Sequence, residues 1–274
     1  MIFFYRKSKL FIMLFFSLHI VCFYNAQSQT EQTKISYISI RDTMFMNGKD
    51  EFKPLCINYL IDFAYDSLNN DYYISPHFNY SSIFGRPNTD YFNPRYYYSA
   101  IDERGAASLK LSNDIALIDS LGFNVVRIPT SIRWIDTALV IPTGSYEGYF
   151  ALMDSFLHQL RQYNLRVILV LGADTIFYRK YDEYCAYLDT ISRHFSNNAT
   201  VMAYVVLAEP FDSWDYKTVN DKLLVSNWSR KWYYIIKKNA PRQLVSYGLQ
   251  KPSTVITWDP SALTYEYALV HSRR

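Results

Sequence analysis

The sequence predicts an α/β protein of the (β/α)8 TIM-barrel type, incomplete as written, with about six of eight strand-helix units in its 274 residues. Three observations lead there. Short, nearly unbroken apolar runs recur along the chain, as strands of a parallel sheet covered by helices require. Segments with apolar residues at helical spacing separate them, so strand and helix alternate from Leu111 to His271. The longest run, Val201 to Leu207, stops at Ala208-Glu209-Pro210. Pro lacks an N–H and ends strand pairing, which leaves the Glu209 carboxylate at a C-terminal strand tip, the ligand edge of such folds.

The chain opens with Arg6, Lys7 and Lys9, an apolar stretch from Leu10 to Phe23, and Ala26 before a polar segment. This is the layout of a secretory signal peptide, so cleavage after Ala26 and a secreted or periplasmic protein are expected. The stretch is shorter than the roughly 18 to 20 residues of a membrane anchor, and His19 interrupts it. Val21 is bulky where lipid attachment at Cys22 needs a small residue. The leader takes three of the 28 basic residues and no acidic one, so 25 bases face 25 acids in the remainder. That balance argues for neither a nucleic-acid nor an anionic-membrane partner. Cys56 and Cys185 read as buried thiols, and no metal, nucleotide or phosphate motif is present. No metal and no cofactor is expected, and the chain is expected to be a monomer.

Three regions follow: a signal peptide at 1–26, an N-terminal leader and β-hairpin at 27–52, and a barrel at 53–274. The hairpin is centred on the turn dipeptide Asn47-Gly48, and the segment ending in Asn58-Tyr59 is the first barrel strand. Residues 66–104 are crowded with tyrosine and phenylalanine and read as a long functional loop. Leu111, Ile115, Ile118 and Leu121 mark a helix that Gly122 ends, before the strand Asn124 to Pro129. Further helices around Phe150 to Leu160, Tyr181 to Phe195 and, capped by Thr218, Leu224 to Ile235 alternate with strands at Arg166 to Leu171, Val201 to Leu207, Gln243 to Tyr247 and Tyr267 to His271. Trp228 and Trp232 fall on an apolar helix stripe and read as packing, whereas His77, His158 and His194 show no partner pattern.

Phe45 to Lys49, Cys56 to Tyr59, Leu121 to Pro129, Val201 to Pro210 and Ala268 to His271, in this order and spacing, resemble glycoside hydrolase family 5, the family of cellulases and mannanases. The resemblance runs from about Met44 to His271. It implies a polysaccharide or oligosaccharide substrate with β-linkages and a retaining mechanism, with Glu209 as acid/base, Arg127 supporting the catalytic centre, and Asn58, Tyr59 and His271 lining the cleft. Such a mechanism needs two carboxyl groups roughly 5 to 5.5 Å apart, one protonated to assist the leaving group and one ionised to attack. An arginine at a neighbouring strand tip suits the ionised partner through a charge-assisted hydrogen bond.

The sequence departs from that pattern at two points. Ala208 stands where the family has an Asn that hydrogen-bonds the sugar's 2-hydroxyl, and the family's nucleophile belongs to a seventh strand that this sequence does not reach, so the expectation is either a sequence incomplete as written or a truncated gene product. Asp174, Asp259 and Glu266 are substitutes by chemistry only, with Glu266 read as solvated. Trp134 and Trp214 follow strand ends and either stack on sugar faces or fill core. A non-catalytic carbohydrate-binding protein on the same scaffold is the alternative expectation.

Overall fold

A computed structural model describes residues 35–59, 61–66, 71–75, 104–130, 132–134, 137–140, 147–172, 180–208, 219–249 and 264–270. The N-terminal part is a three-stranded antiparallel meander, β1 (Ile38–Arg41), β2 (Met44–Asn47) and β3 (Asp50–Glu51). Two-residue loops join its strands, and each begins with a positive φ, 57° at Asp42 and 68° at Gly48. The twist of paired strands favours that backbone sign in such tight loops. The Asn47-Gly48 turn therefore forms, with a second hairpin before it.

Six parallel strands follow: β4 (Cys56–Asn58), β7 (Val125–Pro129), β10 (Arg166–Val170), β11 (Val201–Ala208), β12 (Leu244–Leu249) and β13 (Tyr267–Val270). They pair strictly in chain order, with no reversal. Among the described residues four helices lie between them: α1 (Arg104–Ser120), α2 (Glu147–Gln162), α3 (Tyr181–His194) and α4 (Val219–Asn239). A doubly wound sheet reverses its strand order midway, whereas a barrel does not, so this is an arc of a (β/α)8 barrel.

Two apolar layers cover the two faces of the sheet. The outer layer joins Val126, Ile128, Val167, Leu169, Tyr204, Val206, Val245 and Tyr247 to helix residues such as Ile115, Met153, Leu188 and Trp232. The inner layer holds Val125, Ile168, Val170, Met202, Val205 and Leu244 with Ile38, and Ile40, Phe45 and Phe52 pack against it. The meander thus covers the inner face, with Phe45 edge-on to Tyr267 at 5.4 Å between ring centres. A cleft of about 420 Å³ touches Cys56 of β4, Ile168, Met202 and Tyr267 of β13 together, so the arc brings its two terminal strands around one interior.

The turns after α1 and α2 share one solution. After α1 the Phe123 amide donates to the Ile118 carbonyl and the Gly122 amide to Asp119, with Gly122 at φ 81°. After α2 the Leu165 amide donates to Leu160 and the Asn164 amide to Arg161, with Asn164 at φ 55°. Both are Schellman caps with a left-handed residue just past the helix, which Gly and Asn adopt at least cost. Leu121 falls in the first of these turns and is 60% exposed, so it leaves the core stripe that its spacing predicted.

Four short strands were not legible in the sequence. β5 (Asp62–Asp66), β6 (Asp71–Ser75), β8 (Ile132–Trp134) and β9 (Thr137–Val140) form a separate sheet in the order β6-β5-β8-β9. The expectation of an irregular segment over 66–104 is therefore corrected at 71–75, which pairs antiparallel with β5. No clean two-residue alternation marks these strands, and only the Asn69-Asn70 dipeptide hinted at a turn. Cys56 is exposed and Cys185 half-buried, against the expectation of two buried thiols. His194 also has partners: its ring stacks on Phe150 at 4.0 Å and its Nε2 lies 2.9 Å from Asp154 Oδ2. Trp232 is buried beside Trp228, as the helix stripe predicted, whereas the Thr218 cap lies outside the described residues.

Candidate active site at the strand tips

β4 and β7 are neighbours in parallel register, with Cys56 opposite Val125, Ile57 opposite Val126 and Asn58 opposite Arg127. Val126 and Ile128 belong to the outer layer and Val125 to the inner one. Successive strand residues face opposite sides, so Arg127 and Asn58 share the inner face. There Arg127 Nη1 donates to Asn58 Oδ1 at 3.1 Å. The ladder continues past them, because the Tyr59 amide donates to the Arg127 carbonyl at 2.9 Å.

The register is pinned from below. Asn124 accepts the Leu55 amide on Oδ1 at 2.7 Å and donates from Nδ2 to the Lys53 carbonyl at 2.9 Å. Just above Arg127, buried Thr130 donates its amide (3.0 Å) and Oγ1 (2.9 Å) to the Val170 carbonyl, and its Oγ1 lies 2.7 Å from the Tyr187 hydroxyl. The Tyr149 hydroxyl donates to the Thr130 carbonyl at 2.5 Å, and that of Tyr184 to the Val206 carbonyl. Buried tyrosines thus satisfy carbonyls of the β7 and β11 ends from the helix layer, which accounts for part of the aromatic content. Nothing in the sequence marked Thr130, Tyr149 or Tyr187 for that task.

Tyr59 is a correction. Its side chain packs against the outer layer, and its hydroxyl donates to Asp114 Oδ2 on α1 at 2.8 Å. Burial first, and then the hydrogen bond and charge of Asp114, push its phenol well above the usual tyrosine range. With Asn58 facing inward, the following side chain turns outward, so Tyr59 supports the strand and does not join Arg127. Glu266 is also corrected. It precedes β13 at the strand's entrance, pairs with Lys237 Nζ at 3.2 Å and accepts the Val245 amide at 2.8 Å, so it is held in a structural network at the end opposite the tips.

Ala208 ends β11, its amide donating to the Gly172 carbonyl at 2.7 Å, and its methyl packs on the inner layer. Glu209, Trp214 and His271 lie outside the described residues, as do Asp174 and Asp259 and the side chain of Trp134, the last residue of β8. Among the described residues no group of three or more His, Cys, Asp or Glu is placed to hold a metal, and no helix is long and apolar enough to cross a membrane. Arg127 acts electrostatically within the interior, pulling the Cys56 thiol and the Tyr267 phenol down against the larger upward push of burial. The site can therefore supply a cation midway along β7 and an amide at the tip of β4 on one inner face.

A parallel, singly wound arc of this kind is a TIM-barrel scaffold. Solved structures similar to it include a β-mannanase from the blue mussel Mytilus edulis, with 12% identity, 86% of this chain and 74% of that one covered, and a TM-score of 0.51. An endo-1,4-β-mannanase from Eisenia fetida matches at 14% identity over 83% of this chain and 65% of that one, with a TM-score of 0.52. A cellulase matches at 15% identity over 86% and 61%, with a TM-score of 0.50. At these identities the likeness is one of fold alone, a (β/α)8 barrel, and the chain spans about two thirds of the length of these neighbours. No protein-family model and no curated protein matches the chain.

Proposed function

We propose that the chain belongs to a glycoside hydrolase of the family 5 type, acting on a β-linked polysaccharide or oligosaccharide. The observation that carries this reading is the Arg127–Asn58 pair on the inner face of adjacent parallel strands, Asn58 closing β4 and Arg127 midway along β7, on a barrel whose structural neighbours are mannanases and a cellulase. Glu209, one residue past β11, is assigned as the acid/base. Arg127 is assigned to keep a second carboxylate ionised, and such opposed demands separate the two pKa values of a retaining pair. No residue of this sequence is assigned as that nucleophile. Trp134, Trp214 and His271 are proposed sugar contacts, and residues 1–26 an export signal preceding a leader and the barrel from residue 53.

A second reading, a carbohydrate-binding protein without turnover, draws on Ala208. Its methyl cannot donate to a sugar 2-hydroxyl, a contact that supplies several kcal/mol in the transition states of related chemistry. One experiment separates the two. Hydrolysis of β-1,4-linked manno- and cello-oligosaccharides is measured for the complete gene product, which must supply the second carboxylate, and for its Glu209→Gln variant, together with binding. The hydrolase reading expects turnover that Glu209→Gln lowers by roughly 100-fold or more while binding persists. Binding with no turnover supports the second reading, and equal turnover in both proteins removes Glu209 from its role.

A further inference from the structure

We propose that the β1–β3 meander is a latch over the N-terminal end of the barrel, lifting off as one unit while the barrel stays folded, and that the Arg166 guanidinium beneath it favours opening. The latch lies at the end opposite the strand tips, and the inference does not rest on the glycan reading. The attachment is light. Among the described residues β1, β2 and β3 form a sheet of their own, and no backbone hydrogen bond joins residues 36–52 to the barrel. Two side-chain hydrogen bonds cross the junction, from the Tyr37 hydroxyl to the Ser196 carbonyl and from Arg166 Nη2 to Asn47 Oδ1, and both are long at 3.3 Å. Arg242 adds a guanidinium stacked 4.0 Å from the Tyr37 ring centre. Ile38 and Met46 are the buried apolar anchors. Clefts flank β1 on both sides, one of about 480 Å³ between Ile38, Ile40 and the Arg242 to Leu244 turn, the other of about 420 Å³ between Ile40, Phe45 and Met202. Close packing stops at each cleft, and the contacts of a filled layer are lost there.

Arg166 opens β10 and is 2% exposed. Val167 and Leu169 belong to the outer layer and Ile168 and Val170 to the inner one, so alternation puts Arg166 on the inner face, where Asn47 of the meander meets it. Its Nη1 donates to the Ala199 carbonyl at 2.9 Å and its Nη2 to Asn47, both neutral acceptors, and among the described residues no carboxylate pairs with it. A buried cation without a counter-charge is costly, and lifting the meander returns this one to water. Burial accordingly lowers its pKa to about 10. Docking is thus driven by the apolar anchors and opposed by Arg166. Once lifted, strands of four, four and two residues lose the surface that stabilised them, so their amides exchange.

The test is hydrogen exchange of the full chain, read by mass spectrometry on peptides that cover residues 38–52 and on peptides that cover β10 and β11. The meander should exchange as one block, about 100-fold faster than the two strands or more, and low urea should change its rate little because lifting exposes far less surface than global unfolding. Exchange of both regions together, with one urea dependence, overturns the latch. Arg166→Met then removes the charge at similar volume, and it should slow exchange of the meander about tenfold without speeding that of β10 and β11. Arg166→Gln, neutral and still able to meet Asn47, should act in the same direction and decides the matter if the Met variant does not fold. Unchanged or faster exchange of the meander in the folded variants, or failure of both to fold, overturns the role given to Arg166.

Discussion

Asn124 is the residue on which the juxtaposition of Asn58 and Arg127 depends. Replacing it with Ala removes two hydrogen bonds, to the Leu55 amide and the Lys53 carbonyl, and both are exposed enough for water to replace them in part. A net value of about 0.5 to 1 kcal/mol each, the lower half of the usual range, gives a loss of about 1 to 2 kcal/mol. That is roughly a 5- to 30-fold fall in the folded-to-unfolded ratio. In a chain of this size it lowers the melting temperature by about 3 to 6 °C. Asn124→Asp keeps the acceptor for Leu55 and loses only the donor, so it should fall between parent and Ala in urea titration. The local signature is faster hydrogen exchange of the Val125 and Tyr59 amides, which donate to Leu55 and Arg127 across the same strand pair. If Asn124→Ala matches the parent in both stability and exchange, the strand register is set by something other than this side chain, and the argument for a fixed Asn58 weakens with it.

The buried tyrosines give a paired prediction. Tyr184→Phe removes the donor to the Val206 carbonyl and should cost about 1 to 2 kcal/mol, whereas Tyr204→Phe removes a fully buried hydroxyl with no hydrogen-bond partner and should be neutral or stabilising; equal destabilisation in urea titration contradicts the assignment. Gly122→Ala should cost about 1 kcal/mol from the positive φ alone, since an added Cβ meets nothing within 4 Å, and Gly122→Asn should cost less; a cost-free Ala in thermal melts refutes the strain argument. Although Cys56 keeps an exposed surface, the protein packed around its thiol partly desolvates it and pushes it from 9.0 up to about 11, so its alkylation by iodoacetamide, followed on the Cys56 peptide, should accelerate through pH 11 and not pH 9. The folded chain then holds a proton between those values that the unfolded chain has released. This contribution to stability is complete below pH 9 and is lost as pH rises through 11.

What is encoded locally was legible. Nearly unbroken apolar runs at Val125–Pro129, Arg166–Val170 and Val201–Ala208, and the positive-φ stop at Gly122, follow from side-chain periodicity and backbone sterics within a few residues, and they sufficed for the barrel, although Arg127 falls midway along β7 and not at the strand tip expected for it. The direction of Tyr59 was not legible. It depends on the parity of β4 against β7, set by partners about seventy positions away at Asn124 and Arg127. The same holds for Glu266, which reads as a solvated acid until the fold brings Lys237 to it, and for β5 and β6, whose sheet is completed by β8 from a distant part of the chain. Periodicity tells a strand which faces it has. Only pairing and packing between remote segments decide which face meets the interior, which carbonyl a tyrosine satisfies, and which side chain stands beside an arginine.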